Sequence, residues 1–308
     1  MGTDGHIFKS KIKSMNISKS QRFFMPLIVF LSSVICSCSS VQLAYNQTDL
    51  LLKWWIDDYI DLSSDQENLY EQAIPVLIKK HRQEELPKAL QKLRLLKTKL
   101  DQPLRIEDGV MVVKDIKSFS RDSMNLLLDD AVTLALTLDP KQITYLENAF
   151  IKSNRKFQSD YLKGTPEEQF DKRFEKIIER TESICGDLSK TQKSQIREIA
   201  KEYLLDMTTV YQSRLHKQQL SIKILKKIVL DKPSSSQAKL MLGQLLNDIE
   251  FGSNEEQKEF EKKRDMNNGS VIAKISELLD DKQRKKTQAK IQNWENDIKV
   301  LIQYKAKS

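Results

Sequence analysis

The pentapeptide "LSSDQ" occupies Leu62–Gln66, and variants of it follow at Leu138–Gln142 ("LDPKQ"), Leu188–Gln192 ("LSKTQ") and Leu279–Gln283 ("LDDKQ"). The shared pattern is leucine, then serine or aspartate, two variable residues, then glutamine. A capped helix start has these requirements. Ser63, Asp139, Ser189 and Asp280 fall at the N-cap, where a side-chain oxygen accepts from a free N–H of the first turn. The glutamine three residues on can reach back to the cap residue's own N–H, completing a capping box. Pro140 takes the first helical position, where its missing N–H costs nothing. Leu138 and Ile143 are spaced as a hydrophobic staple. Asp65 sits in a first turn, where negative charge suits the dipole. Related starts occur at Thr165–Gln169 and Ser234–Gln237, and the uneven spacing excludes a tandem solenoid.

The chain between these starts is composed for helices. It has only 8 glycines and 7 prolines in 308 residues, and 31% of it is charged. Apolar residues recur at three- and four-residue steps. Ile143, Leu146, Phe150, Phe157 and Tyr161 line one face, residues 196–211 a second, and Ile291, Trp294, Ile298 and Leu301 a third. Val113, Ile116, Phe119, Leu126, Leu127, Leu134 and Leu138 predict a well-buried helix, with "GVMVV" (Gly109–Val113) at its start. The expected fold is an all-α bundle of long amphipathic helices, in one body or two sub-bundles. The main internal break is expected near 231–236, with softer stretches at Glu250–Glu256 and Met266–Ser270. Pro75 and Pro87 are expected to kink or break the early helices.

Residues 1–37 read as a cleaved leader. Five Lys/Arg precede the apolar run Phe23–Ile35, and small residues and cysteine follow. That run is shorter than the ~20 residues of a spanning helix. Ser37 directly before Cys38, with Ile35 two places earlier than Ser37, resembles a lipobox; Cys36 follows the bulky Ile35 and fits poorly. Lipid is expected on Cys38, giving a bilayer partner through its acyl chains. Ser39 in place of aspartate favours the outer membrane, with the mature chain, 38–308, facing the periplasm. The leader carries five Lys/Arg and one Asp, so the mature chain holds 46 basic and 42 acidic residues, net +4 rather than +8. That weakens any case for nucleic acid. Cys185 would be left without a disulfide partner and is expected to be a buried apolar side chain.

Just behind the anchor, "LLLKWWIDDYIDLSSDQ" (Leu50–Gln66) puts aromatic rings beside carboxylates. Leu52, Trp55, Ile56 and Tyr59 form a helical stripe, with Asp57, Asp58 and Asp61 largely off it. Catalytic acid pairs usually converge from separate elements. A structural role is the first reading of the carboxylates; Trp54, Trp55, Asp57, Asp58 and Asp61 are next candidates for contact with a partner or ligand, ahead of catalysis. The tryptophans are expected to pack on the helical body; a seat at the membrane interface is the other reading. His81, in "KKHRQEELP", is expected on a solvated helix face and joins the candidate contacts.

Two resemblances follow. "LAYNQTDLLLKWWIDDYIDLSSDQ" with "HRQEELPKAL", behind the lipobox, resembles an uncharacterised family of bacterial lipoproteins, domain of unknown function 6279. It implies no established activity. The Leu-x-x-x-Gln boxes resemble the LTxxQ motif of small periplasmic stress chaperones, although serine or aspartate replaces the threonine throughout. Catalytic signatures are absent: there is no G-x-S-x-G, H-E-x-x-H, C-x-x-C or phosphate-binding glycine loop. No metal, cofactor or enzyme activity is expected. The expected role is non-enzymatic binding or scaffolding of envelope proteins. A chaperone-like protein with an apolar, lysine-rimmed surface, or an enzyme of cell-wall or lipid material, are the alternatives.

Overall fold

The computed structural model describes residues 40–304. The leader and Cys38 lie outside the described residues, so the structure does not address the lipidation expectation. Among the described residues there are twelve α-helices and no strand. In chain order they are α1 (Ser40–Asn46), α2 (Thr48–Tyr59), α3 (Ser64–Lys99), α4 (Ile106–Leu126), α5 (Leu128–Thr137), α6 (Pro140–Phe157), α7 (Pro166–Cys185), α8 (Lys190–Tyr203), α9 (Met207–Asp231), α10 (Ser235–Phe251), α11 (Glu255–Leu278) and α12 (Asp281–Gln303). A short π-helical turn, Gln158–Leu162, extends α6. The architecture is the expected all-α bundle.

All four capping boxes form, opening α3, α6, α8 and α12, and Thr165/Glu168 and Ser234/Gln237 make two more. The boxes also meet in pairs. Gln142 Nε2 donates to Gln66 Oε1 (2.6 Å), and Gln66 Nε2 donates back to Gln142 Oε1 (3.2 Å). Gln192 and Gln283 repeat the exchange at 2.7 and 3.2 Å. Each amide also donates to the carbonyl two residues before its partner's cap: Thr137, Asp61, Leu278 and Asp187. Every glutamine therefore serves its own helix start and its partner's. Buried polar groups are tolerated on that condition; Gln66 is 4% exposed.

The core is divided into clusters at helix junctions. One joins α5, α9 and α10 around Val132, Ile228 and Leu242. Another holds Ile178, Cys185, Leu188, Ile196 and Leu279. Cys185 is buried there as expected, and burial pushes its thiol pKa up. Leu138 and Ile143 share a further cluster with Val229. The crossing of α4 on α11 is made by two glycines: a Cβ on Gly109 would lie 2.1 Å from the Gly269 carbonyl oxygen. Small residues here let backbones approach as side chains could not.

Several local expectations change. Met266–Ser270 is no soft stretch but lies inside α11, because Gly269 serves that crossing. α3 is not broken at Pro75 or Pro87 but continues through both for 36 residues. The carbonyls these prolines cannot serve belong to exposed Glu71 and Gln83, where water reaches them. The face read through 196–211 is interrupted between α8 and α9 at residues 204–206. The helix read through 113–138 divides at Leu127, and Ile116 faces outward at 63% exposure.

Candidate functional site

α2 is held against the body along one side. The Tyr59 ring meets Phe150 edge-on at 5.8 Å, the Tyr145 hydroxyl donates to the Asp57 carbonyl (3.1 Å), and Tyr70 donates to the Asp49 carbonyl. Burial, with Asp49 and Asp57 nearby, pushes the Tyr70 phenol up to about 12. Leu52, Ile56 and Tyr59 supply the inward face. Trp54 and Trp55 do not. They are 59% and 62% exposed, which overturns the expectation that they pack on the body. Tyr59 takes the inward position, and Trp55 only leans on its ring at 5.3 Å.

Asp57, Asp58 and Asp61 are exposed on the surface. What the fold uses of Asp57 and Asp61 is their backbone carbonyls, as acceptors from Tyr145 and Gln142. Among the described residues, no group of three or more His, Cys, Asp or Glu is placed to hold a metal ion.

His81 is half-buried rather than on a solvated face, because α1 and α4 close over it. Ser123 commits its proton to the Phe119 carbonyl (2.7 Å), so His81 Nε2 must donate to Ser123 Oγ (3.0 Å). Nδ1 then accepts from the Tyr45 hydroxyl of α1 (2.7 Å). A serine nucleophile would need the opposite proton direction at Nε2. Burial lowers the His81 pKa, with Glu85 pulling it up. Gln42 to Asp297 (2.9 Å) and Arg82 to Asn46 (2.9 Å) complete the clasp on α1. The histidine therefore ties α1 to the body, well apart from the aspartates in role.

Two further features were not read from the sequence. Glu261, 2% exposed, pairs with Lys217 (2.6 Å) and Arg264, while Lys117 pairs with Asp265 (2.6 Å). Burial lowers the Lys217 pKa, and Glu261 opposes the shift. These charges come from α4, α9 and α11 and knit the helices together. The other feature is an open groove of ≈ 980 Å³ between antiparallel α6 and α9. Phe150, Ile151, Leu215, Ile222 and Leu230 supply its apolar surface, with Lys223, Lys226 and Lys227 along α9. Ile151 and Leu230 are 49% and 77% exposed. At one end Phe157 stacks on Tyr211 and Arg214 bonds Asn154 and Ser153; at the other lies the Leu138–Ile143–Val229 cluster. The periodicity of α6 pointed to an apolar face, but not to its lying partly uncovered.

The model of a family of unknown function (DUF6279) matches residues 58–256, more than half of the chain. The chain belongs to that family. The match takes in Asp58, Asp61, His81 and both walls of the groove, and starts after Trp54, Trp55 and Asp57. No curated protein and no solved structure matches. Family membership attaches no activity to these residues.

Proposed function

We propose that the chain is a periplasm-facing lipoprotein, anchored through Cys38 at the outer membrane, that binds or scaffolds envelope proteins without catalysing a reaction. The α6–α9 groove carries this reading. It is broad, open and apolar, as a surface for a protein segment needs to be, and it draws in neither His81 nor the aspartates. Lys223, Lys226 and Lys227 give it a basic margin, with Lys226 partly engaged by Glu147 at 2.7 Å. An apolar channel with a lysine border also supports the chaperone-like version, in which exposed apolar segments of unfolded clients occupy it.

Site-specific photocrosslinking in cells tests the groove. Probes at Ile151 and Ile222 are expected to capture the same envelope protein, and a probe at exposed Lys262 on α11 to capture none. Equal capture from all three positions, or none from the groove, overturns the reading. Suppression of client aggregation by wild type but not by Ile151→Asp would favour the chaperone-like version. Metabolic labelling with a fatty acid should mark wild type and not Cys38→Ala; equal labelling would sink the anchor.

A further inference from the structure

We propose that α2 is a membrane-seating element, its outward face resting in the interface of a zwitterionic bilayer. The inference rests on the anchor reading for the placement of the bilayer and goes beyond it in naming a second contact. Leu50, Leu51, Trp54 and Trp55 follow one another at i, i+1, i+4 and i+5, an arc of roughly 140° on a helix of 3.6 residues per turn. All four are exposed, and so is Leu43 on the neighbouring α1. Leu52, Ile56 and Tyr59 occupy the opposite arc and hold the helix to the body. The apolar face is thus fixed outward by the ring contact and hydrogen bonds behind it.

Isolated exposed leucines need no explanation, but two adjacent tryptophans among three leucines form a patch of the kind that marks a membrane or protein contact. Position favours the membrane. α1 begins at Ser40, two residues after the lipidation candidate, so α1 and α2 have no linker in which to leave the surface. Tryptophan is the side chain enriched at the headgroup level. α2 has 12 residues, against the ~20 that a spanning helix needs, so the contact is one of lying on the surface. The exposed carboxylates of Asp57, Asp58 and Asp61 end the patch, and they select a zwitterionic surface over an anionic one.

The test uses the processed chain, purified from membranes and reconstituted into phosphatidylcholine vesicles with brominated acyl chains. The chain has three tryptophans, and Trp294 lies half-buried beside Ile291 and Leu100, away from α2. Bromolipid is expected to quench wild-type emission, and the double variant Trp54→Phe, Trp55→Phe, which keeps Trp294, is expected to lose that quenching. Quenching that survives in the double variant, or unquenched wild type on the vesicles, overturns the proposal and leaves the patch to a protein or a second copy. Fatty-acid labelling separates the two readings. A labelled chain without quenching keeps the anchor and removes the seat; a quenched but unlabelled chain does the reverse.

Discussion

Trp54 and Gln66 stand twelve residues apart and invert the usual partition of side chains. The tryptophan is 59% exposed and the glutamine 4%. At Gln66 a polar group is buried because every bond it needs is supplied: its own cap, the Gln142 amide and the Thr137 carbonyl. At Trp54 an apolar group is left out because Tyr59 and Leu52 already fill the inward face of α2. The informative residues are a buried polar group and an exposed apolar patch. The first kind reports how the fold is specified. The second reports where it meets something else.

The contrast can be broken most severely from the inside. Gln66→Ala removes a cap partner and orphans part of the buried Gln142 amide, a loss of about 3 kcal/mol. Thermal unfolding is expected to shift down by roughly 5 °C for a chain of this size. A shift within the error of wild type would mean that the glutamine pair is ornamental. Gln192→Ala cuts the equivalent bonds in the second pair; its partner Gln283 is as buried as Gln142, but Gln192 itself is half-exposed, so water can enter the vacated position and serve the Gln283 amide. About 1–2 kcal/mol is expected there, and a loss equal to that of Gln66→Ala would show that burial does not set the difference.

Acid gives a smaller and more local effect. The native His81 ring has a lowered pKa, so the unfolded state binds the proton first. The stability it contributes is present above the unfolded value of ~6.5 and is lost as pH falls from there toward the folded value. The proton would enter at Nδ1, where Tyr45 donates, so α1 should loosen. Amide exchange in α1, corrected for intrinsic rates, is expected to rise between pH 7 and pH 5 in wild type. His81→Gln is expected to remove that pH dependence; unchanged protection in wild type would count against the clasp. The smallest effect belongs to the outside. Trp54→Ser with Trp55→Ser should alter unfolding by no more than ~0.5 kcal/mol per site, as for surface positions. A larger loss would show that the rings support the fold.

Local chemistry was legible and long-range placement was not. Cap and glutamine are three residues apart, so each helix start could be read from its own pentapeptide. The pairing of the boxes spans 76 and 91 residues and leaves no trace in either pentapeptide. Trp55 sat on the same stripe as Ile56 and Tyr59, and spacing alone could not say which end of the arc would face in. His81 looked solvated because its neighbours in sequence are charged, whereas its neighbours in space are Tyr45, Phe119 and Ser123. The groove depends on how two helices sit side by side, which neither periodicity encodes.

The glutamine pairs close two consecutive loops of chain, Gln66 to Gln142 and Gln192 to Gln283, neither nested in the other. Closing either costs only slowly more entropy as it lengthens, ~0.6 kcal/mol per doubling. Each can therefore form from its own stretch of chain. Gly109 lies inside the first loop and Gly269 inside the second, and their contact requires a backbone fit that no side chain can cushion. The glycine crossing is thus the place where the two rings of chain meet, and it accepts only the alignment that leaves room for a bare backbone.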